Sequence, residues 1–234
     1  MPERQLIPSV EMRLGSLLEY NRRREQEIEL RSKKGKARPT ITISREFGCE
    51  AYLVAERLKE SMEKASGEKW LVMDKGLLEE VARNHNLSEG ILKALGEKNR
   101  FLDEFLATFS PRWKSEKDYF RMLCRHMISL AEQGNVIFVG RGSAIVTHSL
   151  KNCYHFRLYA SLPFKVRSIS RRLGIEPAEA EDMVGKKQAQ RDKFIKDFLD
   201  RDARDLSFYH LVFNNDKNSA DLIARTIAAY VQAL

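Results

Sequence analysis

The 234-residue sequence lacks long hydrophobic runs, and this absence argues against a membrane-spanning protein. No run approaches the roughly 18 consecutive apolar residues that a membrane span requires. The first residues, MPERQLIPSVEMR, carry charges where a secretory signal peptide needs an apolar segment. We therefore expect a protein that has neither a membrane anchor nor a leader.

Cysteine is also scarce, with three residues at positions 49, 124 and 153. Cys49, Cys124 and Cys153 form no CxxC pair and no Cys/His spacing of the kind that binds metals. The sequence therefore indicates no protein-bound metal site. Together with the missing leader, it predicts a reduced, cytoplasmic protein.

Negative charge is in deficit, because 33 acidic residues face 41 basic ones and leave a net charge of +8. The segment Arg22–Arg38 holds eight basic residues and three glutamates, which accounts for more than half of that excess. Such a run could bind nucleic acid or anionic lipid. It contains no aromatic residues to stack on single-stranded nucleic acid, so we favour a solvated helix that leads into a linker.

The sequence does contain a regular alternation of strand and helix patterns. Strands are predicted at five segments: Thr40–Ser44, Trp70–Asp74, Val136–Gly140, His155–Ala160 and His210–Asn214. Near-continuous apolar runs such as VIFV are typical of strands buried on both faces. The alternation predicts an α/β fold, in which a five-stranded parallel sheet is covered by helices on both faces. Ligands of such sheets bind at the carboxyl ends of the strands.

Helical patterns fill the gaps between the strands. Residues 8–32 predict a helix whose sparse apolar stripe permits a homodimer. Ser161 and Pro163 suit the start of a helix that reaches Leu173, and Pro177 opens a longer charged helix. Further helices are predicted over Tyr52–Lys64, Gly76–Asn84, Phe120–Gln133 and Ala220–Gln232.

Two long stretches interrupt the alternation. Residues 77–133 hold several helix-like segments, and residues 174–207 are rich in arginine and lysine. We interpret both as insertions into a domain of residues 39–234. A basic helix and a linker over residues 1–38 precede this domain.

The first candidate site follows the first strand, in the segment SREFGCEAY over Ser44–Tyr52. A phosphate loop presents backbone N–H groups at the N-terminus of the next helix, where the helix dipole favours anions. Gly48 permits the turn, and Arg45 could supply the cation that a lysine supplies in such loops. A plain turn between strand and helix is the alternative.

Two further candidates also follow strands. Arg141 stands between Gly140 and Gly142, and because a buried unpaired charge is costly, it should face an anion or a carboxylate. A structural salt bridge is the alternative. Asp74 follows the second strand, and its alternative role is to cap the helix that begins nearby.

The fourth candidate is the basic insertion. A mobile flap that bears arginines suits phosphoryl transfer, because it neutralises the transferring group and excludes water when it closes. The alternative is a solvated surface helix, since five aspartates interleave with its cations: Asp182, Asp192, Asp197, Asp200 and Asp202.

In this order the segments resemble the cytidylate kinase-like family of P-loop nucleoside monophosphate kinases. The resemblance rests on ITISREFG, LVMDKGLLEEVA, AEQGNVIFVGRG, HFRLYASLPFKVRSISRRLGI and the RDKF…RD…FYHLVFNN tail. It implies a three-layer P-loop kinase-like fold with a helical acceptor-binding insertion and an arginine-rich lid. It also implies a kinase that binds ATP and Mg²⁺ and moves the γ-phosphoryl group to a nucleoside monophosphate or another small acceptor.

The resemblance also implies a role for individual residues. Asp74 and Arg141 match positions expected near the acceptor nucleotide. The donor phosphates are expected at Ser44, Arg45, Gly48, Cys49, Glu50 and Ala51. The arginines expected around the transferring group are Arg141, Arg171, Arg172 and Arg191.

The loop departs from the family pattern at three positions. Glu50, Ala51 and Tyr52 stand where a GxxxxGK[ST] loop carries glycine, lysine and a hydroxyl residue. They also differ from the Gly-Ser-Gly-Gly-Arg loop that this branch often uses. A carboxylate ~4 Å from a phosphate costs about 4 kcal/mol at an effective dielectric near 20, unless something compensates. The alternative function is therefore a catalytically degenerate kinase fold that binds a nucleotide or another phosphorylated ligand.

Overall fold

The computed structural model describes residues 9–10, 13–20, 23, 38–83 and 116–234. Its five strands form one parallel sheet in the order β2-β3-β1-β4-β5. The strands are β1 Thr40–Arg45, β2 Leu71–Met73, β3 Val136–Val139, β4 Cys153–Tyr159 and β5 Leu211–Asn214. The α/β fold with a five-stranded parallel sheet is confirmed, and no strand end differs from the predicted one by more than two residues.

Helices flank this sheet, and their ends follow local capping chemistry. The Ser161 side chain accepts a hydrogen bond from the Phe164 amide at the start of α5, and Ser219 caps α7 in the same way through Leu222. Residues 13–20 are also helical. The helices are α1 Ala51–Ser66, α2 Lys75–Arg83, α3 Glu116–Gln133, α4 Ser143–Val146, α5 Leu162–Leu173, α6 Pro177–Leu199 and α7 Ala220–Gln232.

Two apolar clusters cover the two faces of the sheet. Along β3, Ile137 and Val139 join the cluster formed with α1 and α7, whereas Val136 and Phe138 join the cluster formed with α2 and α3. Successive side chains of a strand point to opposite faces, so an all-apolar strand needs both faces covered. This arrangement explains the VIFV run and leaves the carboxyl ends of the strands as the place for polar chemistry.

The N-terminal helical segment packs against the second cluster. Leu17 is fully buried there, and the Tyr20 hydroxyl donates a hydrogen bond to the Gly134 carbonyl. Arg13 forms an ion pair with Asp74 at 2.6 Å between Nη1 and Oδ1. The part of the predicted 77–133 insertion that belongs to α2 and α3 also lies on the sheet, and residues 84–115 fall outside the described residues.

Most of the basic run over residues 22–38 also lies outside the described residues. Its two described members form ion pairs, Arg23 with Glu19 at 2.5 Å and Arg38 with Glu68 at 2.8 Å. Among the helices that the structure describes, none has the length and apolar character needed to cross a bilayer.

Candidate functional site

A cleft of about 340 Å³ opens at the carboxyl ends of β1, β3 and β4. Its basic residues outnumber its acidic ones, since Asp192 contributes the one carboxylate among the lining residues. We call it the arginine cleft, because four of its six basic residues are arginines. The six are Arg45, Lys75, Arg141, Arg157, Lys187 and Arg191. Its position is the one that parallel α/β sheets use for ligands.

Arg45 stands at the end of β1 and lies against the backbone of Gly140. A Cβ atom at position 140, where φ is +82°, would overlap the Arg45 guanidinium. Burial and the nearby Arg191 lower the pKa of Arg45 to about 9, while Asp74 opposes this shift. The guanidinium therefore keeps its charge at neutral pH, in surroundings that disfavour it.

Arg191 reaches the cleft from α6. Its Cζ lies 4.9 Å from the centre of the Phe47 ring, and its Nη1 is buried without a hydrogen-bond partner among the described residues. Burial lowers the pKa of Arg191 to about 10. A buried guanidinium with an unused donor is an incomplete site that an anion would complete.

Arg157 enters the same cleft from β4 and is 5% exposed. Its Nη1 donates to the Ser44 hydroxyl at 3.1 Å, and its Cζ lies 5.6 Å from the centre of the Tyr209 ring. Within the described residues, no carboxylate lies within 4.0 Å of Arg157, Arg45 or Arg191. Three guanidinium groups thus converge without an ion pair of their own among the described residues, and the Asp192 carboxylate in the lining pairs with Arg204 instead.

Arg141 occupies a left-handed turn, with φ of +56°, between two glycines. It pairs with Glu79 of α2, and its Cζ lies 4.8 Å from the centre of the Phe194 ring. Its Nε is buried without a partner among the described residues. Arg141 therefore forms the salt bridge that a structural role predicts, and it also lines the cleft.

The β1–α1 loop, residues 46–50, has much of its backbone already hydrogen-bonded. The Phe47 amide donates to the Gln188 side chain and the Glu50 amide to the Asn215 side chain, both at 2.8 Å. Gly48 adopts φ of +97°, and a Cβ there would come within 2.6 Å of Lys165 Cβ. The loop is therefore packed against α5 and tied to α6 and the chain after β5.

The predicted donor and clamp residues divide between two places. Ser44, Arg45, Arg141 and Arg191 line the arginine cleft, whereas the donor candidates of the loop and first turn of α1 do not: Gly48, Cys49, Glu50 and Ala51. The predicted clamp residues that also lie outside it are Arg171 and Arg172.

The Glu50 carboxylate faces α5 rather than the arginine cleft. Its Oε1 lies 3.3 Å from Arg171 Nη2, and it raises the pKa of Arg172 against the larger, lowering effect of burial. Glu50 and Arg171 line a second pocket of about 470 Å³ beside α5, together with Ser168, whose buried Oγ has no partner among the described residues. The Glu50 carboxylate, which the sequence placed among the donor phosphates, is thus already paired with Arg171.

Asp74 caps α2, as its alternative role predicted. Its Oδ1 accepts from the Leu77 amide at 3.0 Å and from Arg13 at 2.6 Å. Asp74 does not line the arginine cleft, but the next residue, Lys75, does.

Arg157 and Gln188 were not predicted as site residues from the sequence. A charged residue inside the mostly apolar and aromatic β4 was a usable signal for Arg157, because arginine is seldom buried without a reason. Gln188 carried no such signal, since its role depends on where α6 crosses the loop. In the part of the chain that the structure describes, no group of three His, Cys, Asp or Glu side chains is arranged to hold a metal ion.

The model of the cytidylate kinase-like family matches residues 40–217. A cytidylate kinase from Pyrococcus horikoshii is 28% identical over 142 residues, which cover 59% of this chain and 69% of that protein. A cytidylate kinase from Methanocaldococcus jannaschii is 25% identical over 131 residues, which cover 55% and 74%. An uncharacterized protein from Eubacterium ventriosum has a similar structure, with a TM-score of 0.64 and 20% identity over 84% of this chain and 99% of that one. This last likeness concerns the fold alone.

Proposed function

Because this chain belongs to the cytidylate kinase-like family, we propose that it moves the γ-phosphoryl group of ATP to a nucleoside monophosphate or another small acceptor. The observation that carries the proposal is the convergence of Arg45, Arg157 and Arg191 in one cleft, where no carboxylate of the described residues lies within 4.0 Å of any of the three. Buried charges without partners are costly, so the cleft suits a ligand with several negative charges. Phosphoryl transfer then requires positioning and charge neutralisation rather than a covalent intermediate.

The proposed role of each arginine follows from the strand, loop or helix that carries it. Ser44 and Arg45 would bind the outer phosphates of the donor at the end of β1, and Arg141 would bind the acceptor phosphate from the side of α2. Arg191 would neutralise the transferring group, because α6 brings it to the cleft from the lid-like region.

Magnesium fits this site through the phosphates rather than through the protein. Among the residues that line the cleft, the carboxylate of Asp192 is already held by Arg204 at 2.7 Å and by Gln188 at 2.8 Å. Mg²⁺ commonly keeps several waters and binds substrate phosphates with few protein ligands. When bound with ATP, the ion would neutralise part of the phosphate charge.

A binding module without turnover is the second candidate, and the β1–α1 loop favours it. Gln188 and Asn215 occupy the loop amides at Phe47 and Glu50, and Ala51 stands where a phosphate loop carries its lysine. A phosphorylated ligand could therefore occupy the cleft while the loop contributes little to catalysis.

The test is to incubate the full-length protein with ATP, Mg²⁺ and each of CMP, UMP, AMP and GMP, and to separate the nucleotides by chromatography. We expect ADP and one nucleoside diphosphate to form in equal amounts. Arg45→Met should abolish this turnover, whereas Lys193→Met, at an exposed site on α6, should not.

Two other outcomes would change the conclusion. Ligands that raise the melting temperature without any turnover would favour the binding module, because a ligand of the native state stabilises it. Neither turnover nor a shift in melting temperature with ATP or any monophosphate would overturn the proposed function.

A further inference from the structure

We propose that the segment before the family match shapes the acceptor side of the arginine cleft, with Arg13 as a positioning residue for Arg141. The inference rests on the proposed function and adds a residue to its site. The family match begins at residue 40, so Arg13 lies outside it. Three consecutive contacts connect Arg13 to Arg141: Arg13 with Asp74, Asp74 with α2, and α2 with Arg141.

The first contact is a nearly buried ion pair. The side chains of Arg13 and Asp74 are 11% and 15% exposed, and Nη1 lies 2.6 Å from Oδ1. The Arg13 guanidinium also lies 6.0 Å from the centre of the Tyr52 ring in α1, and its Nη2 lies 3.5 Å from the place where Gly76 would carry a Cβ. Arg13 is therefore wedged between the starts of α1 and α2, and its loss would leave a shielded carboxylate without its countercharge.

The second contact joins that ion pair to the first turn of α2. The Asp74 oxygen that receives Arg13 is also the one that accepts from the Leu77 amide at 3.0 Å. One carboxylate oxygen thus holds both the N-terminal segment and the helix start. Because an N-cap fixes the first turn, Arg13 sets the position of α2 through Asp74.

The third contact carries this position into the cleft. Lys75 and Glu79 are four residues apart and so share one face of α2. Lys75 lines the cleft, and Glu79 pairs with Arg141. A displaced α2 would therefore move both the partner of Arg141 and a neighbouring cation.

The N-terminal segment is also fastened at a second point, so Arg13 does not swing freely. Leu17 is fully buried, and the Tyr20 hydroxyl bonds to the carbonyl of Gly134, just before β3. Arg23 provides the matched control, because its pair with Glu19 is on the surface, with the two side chains 49% and 38% exposed.

The experiment measures pyrophosphate binding to the full-length protein by titration calorimetry. We expect Arg13→Met to weaken the affinity about 10-fold, the effect of disturbing one charged hydrogen bond at the cleft. Arg23→Met should stay within about twofold, because exposed ion pairs contribute little. Arg13→Lys should recover most of the affinity, since one N–H donor and one charge suffice for this contact.

A double-mutant cycle shows whether the effect passes through Arg141. In an Arg141→Ala background, Arg13→Met should weaken binding less than about twofold, because coupled residues give non-additive effects. A full 10-fold loss in that background would overturn the inference. Amide hydrogen exchange in α2 should also rise in Arg13→Met and not in Arg23→Met.

The outcomes separate this inference from the proposed function. A wild-type protein that binds neither pyrophosphate nor a nucleotide would overturn the proposed function and, with it, this inference. A wild-type protein that binds normally, with unchanged affinity and unchanged α2 exchange in Arg13→Met, would overturn this inference alone.

Discussion

The arginine cleft and the β1–α1 loop are neighbours that differ in how far their charged side chains form ion pairs. Both glutamates of the loop are paired, Glu46 with Lys165 at 2.9 Å and Glu50 with Arg171 at 3.3 Å. In the cleft, Arg141 pairs with Glu79, but Arg45, Arg157 and Arg191 have no carboxylate within 4.0 Å among the described residues. Paired charges are what a stable fold requires, whereas converging unpaired ones reduce stability. This difference supports the cleft as the proposed ligand site and gives the paired charges of the loop a mainly structural role.

The hydrogen-bond donors show the same difference. In the loop, side chains of Gln188 and Asn215 already hold two amides, which a bound phosphate would otherwise use. In the cleft, buried N–H groups of Arg141 and Arg191 lack partners among the described residues. Donors that are free in one region and occupied in its neighbour indicate where an anion gains the most hydrogen bonds.

The largest expected effect would come from removing two unpaired cations together. Arg45→Met with Arg191→Met should weaken ATP binding by about 100-fold or more, because each charged hydrogen bond contributes about 1.5–3 kcal/mol. The melting temperature should not fall, since two mutually repelling buried charges disappear. Titration calorimetry and thermal unfolding measure the two effects.

The control for this double variant is Arg171→Met, which removes a cation from the loop side. Its side chain is 64% exposed and paired with Glu50, so ATP affinity should change less than about threefold. A double variant with a lower melting temperature but unchanged ATP affinity would show that the cleft arginines are structural, like the paired charges of the loop.

The next effect concerns the loop and should appear in stability. Gly48→Ala should lower the free energy of unfolding by about 2–4 kcal/mol, from the strained positive φ and the collision with α5. The new Cβ would lie 2.6 Å from Lys165 Cβ and 2.9 Å from its Cα. Urea unfolding measures the loss.

Gly67→Ala is the matched control for the crowding. Gly67 also has a positive φ, of +68°, but a Cβ there would meet nothing within 4 Å. Its loss should be about 1 kcal/mol, from backbone strain alone. Equal losses at the two positions would show that the loop is not tightly packed against α5.

The smallest expected effect tests the charge of Glu50. Glu50→Gln should change ATP affinity less than about threefold, because the carboxylate already faces Arg171 and is screened from the cleft. A gain of 100-fold or more would mean that the carboxylate repels the donor, as the ~4 Å estimate of about 4 kcal/mol implies. Calorimetric titration of wild type and variant side by side distinguishes the two.

Local patterns predicted the elements of this fold well. The bounds of α7, Ala220–Gln232, coincide with the predicted ones, because Ser219 provides the cap and the apolar residues repeat with the helical period. Strand β3 was also clear, since four successive apolar residues between Asn135 and Gly140 leave few alternatives. Such features depend on residues close in sequence.

The site was predictable only where chain order fixes position. Ser44 and Arg45 are the last residues of β1 and Arg141 closely follows β3, and the carboxyl ends of parallel strands meet at one edge of the sheet. Arg171 was expected beside Arg191, yet it lies with Glu50, because the orientation of α5 depends on packing that its charge pattern does not reveal. The ion pair between Arg13 and Asp74 spans 61 positions, and no local pattern indicates it.

The contact of Arg45 with Gly140 has a consequence for the evolution of this chain. A side chain at position 140 would need the space that the Arg45 guanidinium fills, so the two positions are epistatic. A mutation of Gly140 would be most harmful while Arg45 is present, because loss of that arginine would remove the overlap and leave only the strain of the positive φ of +82°. Lineages that keep this arginine should therefore keep glycine at 140, and divergence at the pair should begin at position 45.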